Sequence, residues 1–224
     1  MTGTLVNTGA VIAGSLVGIA VGRQLSAELK AIVMQALGLS VFLIGLQMAL
    51  SGKRLLLTVG CMLLGAVAGH LLDIEGRLAQ LGEWLKGRIY SDSATFVEGF
   101  VTASVLYCTG AMVIVGAIQD GSAGDPTTLY VKSLLDGTAS IALASTLGIG
   151  VAFASLAVLA VQGTITLLAT KLIFLREPAV LDAMTATGGL LILGIGINIL
   201  ELKKIPVGNL VPALLFAIAA AALL

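Results

Sequence analysis

Apolar residues run through this chain in blocks of about twenty, separated by short polar connectors. Blocks of that length match a hydrocarbon layer about 30 Å thick at the helical rise of about 1.5 Å per residue. They predict membrane spans near 3–22, 31–50, 55–72, 96–118, 129–147, 150–173, 180–200 and 206–224. The fold class expected is therefore all-α, a polytopic integral membrane protein of about eight transmembrane helices. Seven is the alternative, because apolar sequence continues from Ser133 to Thr170 with only Gly148-Ile149-Gly150 to divide it.

Between the third and fourth spans, residues 73–92 change character. Ile74, Leu78, Leu81 and Leu85 recur at helical spacing opposite Glu75, Arg77, Glu83 and Lys86, the pattern of an amphipathic helix at the membrane surface. Trp84 and Tyr90 suit the headgroup belt. Gly14, Gly18 and Gly22 line one face of the first span and Gly65 and Gly69 one face of the third, which lets a neighbouring backbone approach closely. Asn7 is polar enough to hydrogen-bond an adjacent helix, and Ser51-Gly52-Lys53-Arg54 is short enough to make spans two and three antiparallel neighbours.

The second and seventh spans align without a gap at an offset of 151 residues, placing Gly38, Gly45 and Gln47 on Gly189, Gly196 and Asn198. Spans three and eight follow in register. Repeat-like units 1–72 and 150–224 around a central hairpin 96–147 are thus expected within one transmembrane domain, 1–224. Five crossings separate the two units, so they would be inverted in the bilayer, as in many secondary transporters. Glycine is abundant, with 28 residues, and chance alignment of apolar helices competes with this reading.

Composition narrows the function. The chain is 58% hydrophobic and 11% charged with zero formal net charge, which leaves no basic footprint for nucleic acid. Cys61 and Cys108 lie in apolar runs without a metal-ligand spacing. His70, the single histidine, has Asp73 and Glu75 nearby, a weak metal pattern that reads better as an interfacial histidine. Neither a Ser-His-Asp order nor HExxH nor a phosphate loop is present, so no enzyme, cofactor or metal is expected. The expected partners are the bilayer, an unidentified small solute or ion, and further copies of the chain in a homo-oligomer.

The candidate chemistry lies in the central hairpin. Glu98-Gly99 precedes Gly110 by ten residues, and Asp136-Gly137 precedes Gly148 by ten. A carboxylate inside a span costs about 2.5–3.5 kcal/mol on insertion scales, so each is a functional hypothesis by default. Tyr107, Cys108 and Thr109 stand before Gly110, and Ser145 and Thr146 before Gly148, so both arms put hydroxyl or thiol groups beside a glycine where a helix could unwind. Glu98, Asp136, these flanking groups, and the amide pair Gln47 and Asn198 form the expected substrate or ion pathway. The structural alternatives are that Glu98 snorkels to water, that Asp136 is neutralised by Lys132 four residues earlier, and that the amides bind neighbouring helices.

The run from Phe96 to Gly121, with Tyr107-Cys108-Thr109-Gly110-Ala111-Met112 and Gly116-Ala117-Ile118-Gln119-Asp120-Gly121, resembles the YdfK/YqgA family, as do Lys132-Ser133-Leu134-Leu135-Asp136-Gly137, the Asn7-Thr8-Gly9 opening and Ser145 to Gly150. The resemblance covers essentially the whole chain. It implies an uncharacterised bacterial inner-membrane protein with a suggested transport activity, and it transfers no site residue. The function expected is a secondary transporter or channel-like permease for a small polar solute or ion, with a packing or assembly subunit as the alternative. An N-terminus outside would place Arg23, Lys30, Arg77, Lys86, Arg88, Lys203 and Lys204 in the cytoplasm, a slight bias among twelve basic residues that leaves dual insertion open.

Overall fold

The computed structural model describes residues 1–88, 93–109 and 111–223, and every regular element among them is helical. The α-helices are α1 (Thr2–Gly22), α2 (Ala27–Leu50), α3 (Leu55–Leu71), α4 (Ile74–Arg88), α5 (Phe96–Cys108), α6 (Ala111–Ser122), α7 (Thr127–Leu147), α8 (Gly150–Leu167), α9 (Pro178–Ile199) and α10 (Ala213–Leu223). Local chemistry sets several boundaries. Ser26 caps α2 by accepting the Leu29 amide at 3.2 Å, and α9 opens on a proline, whose missing N–H is no loss in a first turn.

Four of the described helices, α1, α2, α8 and α9, are long and apolar enough to cross a bilayer. Six spans result if α3 with α4, bent by 55°, and α5 with α6, bent by 64°, each count as one. α7 has the length but carries Lys132, Ser133, Asp136 and Ser140 on one buried face, and α10 has only 11 residues.

Glycine contacts fix how the helices run. Gly14, Gly18 and Gly22 meet Gly137, Ile141 and Ser145 in that order, so α1 and α7 are parallel and packed backbone to backbone. Gly38 meets Leu200 while Gly45 meets Gly189 and Leu193, so α2 and α9 are antiparallel. Gly65 on Ala213 and Gly69 on Asn209 make α3 antiparallel to the segment leading into α10. The glycine stripes are thus interface positions, and the large side chains opposite them, such as Leu16, Leu43, Leu56 and Leu63, are exposed to the surroundings that a membrane supplies.

α4 is amphipathic as expected but is pinned to the protein. Its Gly82 rests on Val97 and Phe100 of α5, the Glu75 carboxylate accepts the Gly208 amide at 2.6 Å, and the Glu75 amide donates to the Asn209 side chain at 2.8 Å. Trp84 stays exposed under the Arg88 guanidinium. Tyr90 lies outside the described residues.

Candidate functional site

The buried polar side chains concentrate on α1 and on α5 to α8. At their centre is Asp136, halfway along α7. Its Oδ2 accepts from the Lys132 ammonium one turn earlier and from the Asn7 side-chain amide of α1 at 3.0 Å. The same Asn7 amide donates to Gln162 Oε1 of α8, also at 3.0 Å. Asn7 and Gln162 are 0% and 1% exposed, Lys132 5% and Asp136 8%, so the ion pair and both amides are closed off from solvent. Two polar atoms there have no hydrogen-bond partner among the described residues: Asn7 Oδ1 and Gln162 Nε2.

Polar contacts continue on both sides of this centre. Along the helix faces that hold Asn7 and Gln162, the Thr4 and Thr166 hydroxyls stand 3.0 Å apart, and beyond them the Asp120 carboxylate of α6 accepts the Gly3 amide at the start of α1. A carboxylate is well placed there, where the first-turn N–H groups of a helix lack partners. In the other direction the buried Tyr107 hydroxyl of α5 lies 2.8 Å from Ser140 of α7. Cys108, one residue on, is the last residue of α5. There the helix ends: Thr109 is extended, with φ −99° and ψ 147°, and α6 leaves at 64°. The carbonyls of the last turn of α5 consequently lose helical partners where Tyr107 meets Ser140, one turn from Asp136.

Several expected site residues lie elsewhere. Glu98 is exposed on the first turn of α5 and makes no ion pair among the described residues, so it does not mirror Asp136. Gln47 is exposed on α2. Asn198 clamps the connector after α9, donating to the Ile205 carbonyl at 2.8 Å and accepting its amide at 2.7 Å, so the two amides do not form a pair. Gly110 falls outside the described residues.

The expected unwinding beside Gly148 takes another form. α7 is continuous from Thr127 to Leu147, and Gly148, at φ +74°, makes the turn into α8, a conformation that suits a residue without Cβ. Ser145 and Thr146 instead satisfy backbone carbonyls of their own helix at Ala142 and Leu143, and Thr146 also reaches the Met34 sulfur. Only the arm holding Tyr107, Cys108 and Thr109 meets the cluster.

Gln162 and Ser140 were not singled out by the sequence, and Lys132 and Asn7 entered it only as a counter-ion and a packing amide. Gln162 and Asn7 stand in otherwise apolar spans, which is the signal that could have found them. Among the described residues no three His, Cys, Asp or Glu side chains gather as a metal site. His70 is exposed at the end of α3.

A family profile described as "Protein of unknown function (DUF554)" matches residues 2–222. The uncharacterized membrane protein YdfK of Bacillus subtilis is 33% identical over 219 residues, covering 96% of this chain and 93% of that protein. The uncharacterized protein YqgA of Escherichia coli is 30% identical over 220 residues, covering 96% and 94%. No solved structure matches the chain.

Proposed function

We propose that this chain, a membrane protein that belongs to the DUF554 family of unknown function, is a secondary transporter or channel-like permease for a small polar solute or ion. The observation that carries the reading is the Lys132–Asp136 pair, buried at mid-helix with Asn7 and Gln162 and one turn from Ser140, which bonds Tyr107 just before the bend between α5 and α6. Two buried charges are a poor way to hold helices together, since hydrophobic residues of similar volume serve as well or better by about 1–4 kcal/mol. A charged pair inside a span, a turn away from the contact with a broken helix, fits a pathway for something polar.

The architecture supports this. Under the 151-residue offset, Gly45 on Leu193 has its counterpart in Gly196 on Phe42, and Gly38 on Ile199 and Leu200 has its counterpart in Gly189 on Met48 and Ala49. The α2/α9 contact is therefore reciprocal, as a two-fold relation between inverted repeats requires. Taking α5 with α6 as one crossing and counting α7 and α10 gives eight crossings of alternating direction. One face then holds Arg23, Lys30, Arg77, Lys86, Arg88, Lys203 and Lys204, and the other Lys53, Arg54, Lys171 and Arg176, so a bacterial inner-membrane protein would place its N-terminus outside.

The test is electrogenic or fluorescent flux in proteoliposomes challenged with gradients of NaCl, KCl and a panel of amino acids and organic acids. Asp136→Asn is expected to abolish a flux that the native protein shows, and Lys132→Gln/Asp136→Asn, which removes both charges, to stay silent while remaining folded. Native flux in the double variant would remove the ion pair from the pathway, whereas no flux from the native protein would favour the second reading, a subunit acting by packing, for which the closely packed glycine interfaces speak.

A further inference from the structure

The cluster is short of partners in a particular way. Asn7 turns both useful hydrogens of its amide to Asp136 and Gln162, which leaves its carbonyl oxygen buried and unpartnered at the same place. Three helices thereby bring three oxygen ligands to the Asn7 side chain: the Asp136 carboxylate from α7 and Gln162 Oε1 from α8, each 3.0 Å from Asn7 Nδ2, and Oδ1 of the same amide, which a turn of the Asn7 amide would bring to face them. None is sulfur or imidazole. The present occupant of the carboxylate is an ammonium, a compact cation on a flexible stem that can only donate.

We propose that these residues bind a small monovalent cation, of the size and hardness of Na⁺, and that Lys132 is its resident competitor. The inference rests on the transport reading and names the class of solute. Charge decides the valence: exchanging the ammonium for a monovalent ion at Asp136 leaves the charge at the carboxylate unchanged, whereas a divalent ion would add an uncompensated positive charge in the low-dielectric interior. Ligand chemistry decides the hardness, since carboxylate and amide oxygens suit hard ions. A partly hydrated ion accounts for both unpartnered atoms, with the metal taking Asn7 Oδ1 and a water oxygen accepting from Gln162 Nε2. The displaced ammonium would turn toward the C-terminal end of α5, where the helix dipole favours a positive charge.

Purified protein in detergent, titrated with NaCl against choline chloride at constant ionic strength and followed by ²³Na NMR and by thermal unfolding, tests this. Native protein should show saturable Na⁺ binding and Asp136→Asn none. Lys132→Met, which removes the competitor, should bind Na⁺ at least about tenfold more tightly, because the competent state is no longer a minor one. It should also be thermally rescued by NaCl and not by choline chloride, a cation-specific response that a purely structural ion pair lacks. Asn7→Ala keeps both charges and should weaken Na⁺ at least about tenfold even if Lys132→Met fails to fold; unchanged affinity in Asn7→Ala overturns the site. No Na⁺ response in native protein or in Lys132→Met overturns it as well, and if an Asp136-dependent flux of another solute persists, the transport reading survives. Saturable Na⁺ binding with the expected variant pattern but no flux of any solute leaves the site standing and removes the transport reading.

Discussion

Replacing Gly14 by alanine adds one methyl group where α1 crosses Gly137, the neighbour of Asp136. That carbon would stand 3.0 Å from the Gly137 carbonyl carbon and closer still to its oxygen, on backbone that cannot rotate out of the way. A carbon needs about 3.3 Å from a carbonyl oxygen, so α1 must retreat from α7 by roughly 1 Å. Overpacking of this kind costs about 1–3 kcal/mol. The same retreat stretches the 3.0 Å bond from Asn7 to Asp136 past hydrogen-bonding range, and a bond to a charged group is worth about 1.5–3 kcal/mol more. Gly9→Ala is the control on the same helix: its added carbon meets nothing within 4 Å, so the substitution should be neutral or stabilise by about 0.5–1 kcal/mol through helix propensity. Thermal unfolding in detergent with a thiol-reactive dye reads both, because Cys61 and Cys108 are free and largely shielded in the fold. Gly14→Ala should expose them at clearly lower temperature than Gly9→Ala. Equal midpoints for the two variants would refute the close α1–α7 approach and, with it, the way Asn7 is held on the carboxylate.

The reciprocal glycines of α2 and α9 make a second check. Gly45→Ala and Gly196→Ala should each lose about 1–3 kcal/mol, since each drives a carbon into backbone of the other helix; a loss in one and none in the other would break the two-fold relation. Asn198→Ala should remove both bonds to Ile205 and cost about 1–3 kcal/mol, seen as faster amide exchange in residues 200–205, with flux per folded molecule unchanged. Loss of flux with normal exchange would return Asn198 to the pathway.

Length and apolarity of the blocks determined, from sequence alone, that the chain is helical and membrane-embedded, because hydrocarbon tolerates only segments that satisfy their own backbone. The stripes at Gly14, Gly18 and Gly22 and at Gly65 and Gly69 were legible as interfaces for the same local reason, that a missing Cβ marks a close approach. Asp136 was legible because a carboxylate in a span is expensive wherever the helix goes. Its partners were not: Asn7 and Gln162 are separated by 155 residues and meet only because α1 runs parallel to α7 and antiparallel to α8. The matching spacing that paired Glu98 with Asp136 was blind to burial, and packing left Glu98 on an exposed first turn while it buried Asp136. A glycine likewise signals a break without saying whether it interrupts a helix or joins two, and the packing of α7 and α8 against α5 made Gly148 a joint. Spacing along one chain fixes what a segment can do by itself; which polar groups share one desolvated place is decided by the packing of helices far apart in sequence.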